Sequence, residues 1–175
     1  MVGFLSVGMD APTRWDLHER QPSPRSRTIP RHIDRGDPQA DPSYPQAHVW
    51  LAMTLLQQKQ YPQAIDEFQK GLQFSGGNPI YLALLGSGYG HAGRRAEAQA
   101  VLQKLQTISR QRHVTPESFS LLYVGLGDYN QVFAYADKAY QEHSGMINRI
   151  KVDPILDPVR SDPRFAQLLT KVGFQ

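Results

Sequence analysis

Small and large apolar residues recur every 34 residues through the central part of this chain, and this period restricts the fold more than any other feature. Five series keep the interval through three copies. Two series consist mainly of small residues: Ala52, Gly86 and Ser120, and Ala64, Ala98 and Val132. Three consist mainly of large ones: Leu51, Leu85 and Phe119; Leu55, Tyr89 and Tyr123; and Phe68, Leu102 and Ala136. A constant period of this length is typical of stacked units that bury their apolar faces against one another.

The pattern within each unit is helical. Apolar residues follow helical periodicity in segments that Gly, Pro, Asn and His interrupt, and no segment has the alternation of a strand. Asn78, Thr115 and Asp162 each place a capping side chain directly before a proline, at the start of a helix. The predicted helices are 44–58, 61–74, 79–91, 94–110, 115–125, 129–143 and 162–172. The predicted fold class is all-α, a stack of three helix pairs with a C-terminal capping helix.

Residues 44–146 resemble three tetratricopeptide repeats, at 45–78, 79–112 and 113–146. The small residue of the family's eighth position is Ala52, Gly86 or Ser120, and Tyr61-Pro62-Gln63-Ala64-Ile65 and Phe68-Gln69-Lys70-Gly71-Leu72 resemble its second helix. The chain departs from the family where His48, Leu82 and Pro116 stand in place of Trp, and where Val132 replaces alanine. The resemblance implies a helical-hairpin solenoid, with residues 147–175 as a C-terminal extension and capping helix.

The end of the chain has a narrower resemblance. Lys151-Val152-Asp153-Pro154 and the run from Leu156 to Phe165 resemble the C-terminal end of repeat arrays in multidomain bacterial signalling proteins. Those proteins carry a winged-helix, kinase or cyclase domain upstream of the repeats. The resemblance implies an alternative function, in which the chain is the detached C-terminal regulatory region of a larger transcriptional regulator or kinase-type signalling protein.

The tetratricopeptide resemblance also implies a binding surface, because the first helix of each pair lines the concave side of such a stack. By register, the candidate partner-binding residues are Val49, Trp50, Met53, Leu56, Ile80, Ala83, Leu84, Ser87, His91 and Leu121. This mainly apolar wall, with a flexible Met and a Trp, suits an amphipathic helix or an extended segment of another protein. We therefore predict a scaffold for protein–protein interaction. In the alternative interpretation, the C-terminal tail or a missing preceding repeat covers Trp50, Met53 and Leu56.

The first helix pair has no capping repeat before it, so its apolar face is predicted to be open. Such a face either mediates self-association or marks the loss of upstream repeats. Residues 1–43 do not supply a further repeat, since they hold six of the 13 prolines and show no sustained period. We predict a disordered Pro/Arg-rich tail there. Its six arginines are balanced by six acidic residues, which disfavours the alternative of a nucleic-acid-binding arm. A misassigned start is a third interpretation.

Composition and motifs give no indication of catalysis. Gly88-Tyr89-Gly90-His91-Ala92-Gly93 satisfies a dinucleotide fingerprint, but it falls within a predicted helix and not after a strand, so no cofactor is expected. No two of the six histidines have metal-ligand spacing, and Asp153, Asp157 and Asp162 each precede a proline, as turn and cap residues do. We therefore predict that the protein is not an enzyme and has no metal site.

Charge and cysteine content set the remaining expectations. A net charge of +3 and a pI near 9.2 are too small a basic excess to indicate nucleic acid as a partner. The chain contains no cysteine, and the apolar residues 1–9 are too short for a signal peptide or a membrane span. We therefore expect a cytoplasmic protein with a protein partner and no membrane contact.

Overall fold

The computed structural model describes residues 43–174, apart from the side chains of residues 146 and 147. The predicted tail therefore lies outside the described residues, except for Ser43. Within the described range every regular element is helical. The elements are α1 (Pro45–Gln57), α2 (Tyr61–Phe74), α3 (Pro79–His91), α4 (Arg95–Ser109), α5 (Pro116–Leu126), α6 (Tyr129–Gln141), two 3-10 helices (Gly145–Asn148 and Pro154–Val159) and α7 (Pro163–Val172). The seven predicted helices are confirmed to within two residues at each end.

The 34-residue period is present in the backbone as well as in the sequence. The helices α2, α4, α6 and α7 begin at residues 61, 95, 129 and 163. Between the helices of each pair, residues 59, 93 and 127 have left-handed φ angles of 59°, 74° and 72°. One residue later, the backbone N–H groups of residues 60, 94 and 128 donate to the carbonyls of residues 55, 89 and 123. The same turn therefore closes α1, α3 and α5, and it satisfies a carbonyl that the helix end would leave unpaired.

The small residues that define the period lie where helices touch. Ala52, Ala64, Ala98 and Ser120 are completely buried, and Gly86 and Val132 are buried as well. Phe68 is buried, while Leu102 and Tyr123 are half-buried. The small residues let two helices approach closely, and the large residues of the series pack around these contacts. Leu51 is the exception, with 48% of its surface exposed, because no described element precedes α1.

The glycines of α3 mark close approaches to three neighbouring helices. A Cβ atom at Gly86 would lie 2.7 Å from Val101 of α4, and one at Gly88 would lie 2.9 Å from the ring of Phe68 in α2. One at Gly90 would overlap the backbone of Gly125 in α5. Glycine lowers helix stability by roughly 1 kcal/mol relative to alanine. At these three positions a larger residue would collide with the neighbouring helix, so glycine is present despite this loss of helix stability.

The C-terminal segment of residues 149–159 runs back to α1. Ile150, Ile155, Leu156 and Val159 are buried in the same core cluster as Leu56 and Leu121. Gln57 at the end of α1 donates hydrogen bonds to the carbonyl of Pro154 (3.1 Å) and to the carboxylate of Asp157 (3.4 Å). The segment therefore joins the two ends of the described chain. Pro158 lies inside the 3-10 helix Pro154–Val159, where a proline disfavours a regular α-helix.

The last helix, α7, packs on α6 at the repeat interval. Lys171 Nζ lies 2.7 Å from Asp137 Oδ1, and Arg164 Nη1 donates to Asn130 Oδ1 at 2.7 Å. Both pairs are 34 residues apart. The guanidinium of Arg164 also lies over the ring of Phe133, 4.6 Å from its centroid. Among the described helices, none is long and apolar enough to cross a membrane.

Candidate functional site

A groove of about 300 Å³ lies between α1, α3 and α5 on one side and the C-terminal segment on the other. We call it the main groove. A second cavity of about 450 Å³, the side groove, continues from it along α1 and shares Met53, Arg149 and Asp153 with it. The main groove is lined by Gln46, Val49, Met53, Ile80, Tyr81, Leu84, Glu117, Leu121, Gly145, Arg149 and Asp153. The side groove adds Trp50, Thr54, Gln57, Val152 and Pro154.

The floor of the main groove is apolar. It is built from side chains four residues apart on each first helix, because that spacing places them on one side of a helix. The pairs are Val49 with Met53 in α1, and Ile80 with Leu84 in α3; Leu121 continues the floor in α5. Val49, Leu84 and Leu121 are buried, whereas Met53 and Ile80 are half-buried. The half-buried pair gives an incoming side chain apolar surface to contact.

The rim of the main groove is charged. Arg149 Nη2 lies 3.8 Å from Glu117 Oε1 and 4.0 Å from Asp153 Oδ2. The two carboxylate side chains are 11% and 10% exposed, whereas that of Arg149 is 58% exposed. Ser144 donates to Glu117 at 3.4 Å, and Asp153 accepts from the N–H of Ile155 at 3.1 Å as the cap of a 3-10 helix. The carboxylates are therefore held in place, and the arginine is the accessible charge of the rim.

Six of the ten predicted partner-binding residues line these two cavities. Val49, Met53, Ile80, Leu84 and Leu121 lie together in the main groove, and Trp50 lies in the side groove. Trp50 is 40% exposed, so the C-terminal segment borders this side chain without burying it. Leu56, which the alternative interpretation places under the C-terminal tail, is buried in the core cluster that also contains Leu156.

The other three predicted residues, all in α3, do not line either cavity. Ala83 is completely buried in the cluster that contains Val101 and Leu105, on the side of α4. Ser87 is completely buried, and a Cβ at Gly125 would overlap its backbone. His91 is half-buried at the end of the helix, with Nδ1 2.9 Å from the carbonyl oxygen of Ser87. The register assumed one open side for α3, but its residues 82–88 are all buried because neighbouring helices surround it.

Sequence reasoning missed the part of the groove that the C-terminal extension builds. Arg149 and Asp153 are not in a repeat position, and the Asp-Pro at 153 and 154 indicated only a turn. Tyr81 was also missed. Its hydroxyl donates to Gln46 Oε1 at 3.3 Å, and burial, with Tyr44 nearby, raises the pKa of its phenol. The signal that could have identified Arg149 is weak, because a single arginine in a segment without periodicity points to no particular surface.

An apolar floor with a charged rim and an exposed tryptophan is a composition typical of a protein-recognition surface. Two largely buried carboxylates beside one exposed arginine are polar groups of the kind that set orientation at such surfaces. Comparisons of the whole chain with family models, with curated proteins and with solved structures found no match.

Proposed function

We propose that this protein is a tetratricopeptide-type interaction module that binds a segment of a partner protein in the main and side grooves. The observation that carries the proposal is the open apolar floor between three first helices, with Trp50 exposed beside it. The 34-residue spacing of the second helices and of the left-handed turns supports the repeat type. The family's peptide-carboxylate clamp is not part of the proposal, because Val49, Met53, Ala83 and Ser87 replace its basic and amide side chains.

The dimensions of the grooves favour a short extended segment or one face of a short helix. The main groove has room for about one or two large side chains, and Met53 and Ile80 provide adaptable apolar contacts. Trp50 provides the rigid aromatic surface that commonly contributes most to affinity. The exposed Arg149 is placed to pair with an acidic group beside the apolar anchor of the partner.

Site-specific photo-cross-linking tests the proposal directly. A photoreactive amino acid at Val152, which lines the side groove and is exposed, is expected to capture the partner in cells. The same amino acid at Gln103, exposed on α4, provides the matched control. In purified form, Trp50→Ala should weaken binding of the captured partner by about 2 kcal/mol or more. Its unfolding midpoint should change little, because Trp50 is 40% exposed. Equal capture from both positions would contradict the proposed site.

A further inference from the structure

One side of α1 is open to solvent over its whole length. Ala47, Leu51, Thr54 and Gln58 follow one another at spacings of three and four residues, so they lie on one side of the helix. All four are exposed. We call this surface the end face. It lies on a different side of α1 from Val49 and Met53, which face the main groove, and Thr54 is the one residue that it shares with the side groove. Its role as proposed below does not rest on the proposed function.

The equivalent positions in the next two pairs are covered. Residues 81, 85, 88 and 92 of the second pair are buried or half-buried, and so are residues 115, 119, 122 and 126 of the third. The cover comes from neighbouring helices: Gly88 approaches the ring of Phe68 in α2, and Leu122 approaches Gly86 in α3. In the second and third helix pairs, the equivalent face therefore packs against another helix at contact distance.

The chemistry of the end face suits a second copy of itself. None of its four residues is charged, so two end faces can meet without bringing like charges together. Leu51 is 48% exposed, and three large aromatic residues on or beside α1, Tyr44, Trp50 and Phe74, are also exposed. Phe74 stacks on His48, the residue directly after Ala47, with ring centroids 5.3 Å apart. These side chains add exposed aromatic surface to α1 and to the end of α2.

The opposite end of the described chain has no matching surface. None of the exposed large apolar residues of the described chain lies in α7, whereas Tyr44, Trp50, Leu51 and Phe74 lie on or beside α1. A head-to-tail contact would thus place these side chains against a helix that exposes no large apolar residue. A two-fold contact buries both end faces at once and leaves both α7 helices outward, so the assembly closes at two copies.

We propose that the chain forms a two-fold symmetric homodimer in which the end faces of two α1 helices pack against each other. The contact is small, so its dissociation constant is expected in the micromolar range. Sedimentation equilibrium of the full chain over a range on the order of 1 to 100 µM should show a monomer–dimer transition. Leu51→Glu should raise the dissociation constant at least about tenfold. Val152→Glu, at an exposed apolar residue of the side groove, should leave it unchanged.

Cysteine cross-linking gives the second readout, since the chain contains no cysteine of its own. Thr54→Cys should form a covalent dimer with a short bis-maleimide, and Gln103→Cys on α4 should not. Circular dichroism of each variant confirms that it is folded. A full chain that stays monomeric over the whole concentration range overturns the proposal, as does a dimer that Val152→Glu weakens and Leu51→Glu does not. An end face covered by residues 1–42 of the same chain would give the first of these results.

Discussion

At residue 59 a lysine holds a backbone conformation for which the two equivalent turns use glycine. Its φ is 59°, against 74° at Gly93 and 72° at Gly127. An L-residue with a Cβ atom pays roughly 1 kcal/mol or more for this left-handed conformation, whereas glycine does not. Among the described residues, the side chain of Lys59 has no hydrogen bond or ion pair that would explain its presence.

Lys59→Gly is therefore expected to stabilise the protein by about 0.5–1 kcal/mol, a net value because glycine also gives the unfolded chain more freedom. Gly93→Ala, the reverse change at the equivalent turn, should destabilise it by about 1 kcal/mol. Urea unfolding measures both. A loss of stability on Lys59→Gly would mean that the lysine side chain makes a stabilising contact.

Two buried serines make a matched pair for a second prediction. Ser120 donates to the carbonyl of Val132 at 3.0 Å, whereas the hydroxyl of Ser87 is buried without a hydrogen-bond partner among the described residues. Ser120→Ala should cost about 0.5–1.5 kcal/mol, since it removes a satisfied buried bond. Ser87→Ala should be neutral or stabilising, because it removes an unsatisfied hydroxyl. Thermal unfolding of the two variants side by side checks the difference, and equal losses would contradict it.

Residue-level prediction from sequence worked where one period controlled the environment. Ala52, Ala64 and Ala98 were identified as contact residues from spacing alone, and all three are completely buried. It did not work for Ser87 and Ala83, because burial on every side of α3 depends on the distances between α3, α4 and α5. The distance between α3 and α5 follows from Gly90 and Gly125, whose role in helix approach the sequence does not state.

The element whose start depends most clearly on one titratable group is α7. Asp162 caps its first turn and accepts hydrogen bonds from the guanidinium and the backbone N–H of Arg164. These bonds lower the pKa of Asp162 to about 2, from an ordinary value of 3.8. Because the folded-state pKa is depressed, the stabilisation is present above pH 3.8 and is lost as the pH falls through about 2.

Asp162→Asn keeps a capping side chain but removes the titration. Wild type is expected to be the more stable of the two near neutral pH, and their difference should shrink between about pH 4 and pH 2. Thermal unfolding of both proteins across that range isolates this carboxylate, since all others titrate alike in the two chains. A difference that is constant with pH would show that Arg164 does not favour the charged form.

Among the elements, the seven α-helices were predictable because caps, prolines and periodicity agree on their bounds. The 3-10 segment before α7 was not. Pro158, inside this segment, disfavours a regular α-helix there, so the run that contains the buried Ile155, Leu156 and Val159 did not predict one. The groove rim built by Arg149 and Asp153 was missed for the same reason, because it belongs to this segment and not to a repeat.

At the scale of the whole molecule, the C-terminal segment changes how the helix pairs depend on one another. In a simple stack each pair contacts only its neighbours. Here the core cluster that holds Val49 and Ala52 of α1 also holds Ile155 and Leu156. Loosening the segment should therefore loosen α1 as well as α5.

Leu156→Ala should cost about 2–5 kcal/mol and reduce the hydrogen-exchange protection of α1 together with that of α5. Leu105→Ala is the matched control, because Leu105 is equally buried but belongs to the second cluster, with Val101 and Leu122. The loss of hydrogen-exchange protection in Leu105→Ala should begin in α4 and α5. Unchanged protection of α1 in Leu156→Ala, at a comparable loss of stability, would show that the segment does not support α1.

The bond between Gln57 and Asp157 also has a consequence for synthesis of the chain on the ribosome. Its two residues are 100 positions apart. At roughly 5–20 residues per second, α1 emerges about 5–20 s before the segment that completes its packing. During that interval α1 lacks its hydrogen bonds to the C-terminal segment. Of the described helices, α1 is thus made first but is among the last to be finished, and a nascent chain stalled before residue 150 should engage chaperones through α1.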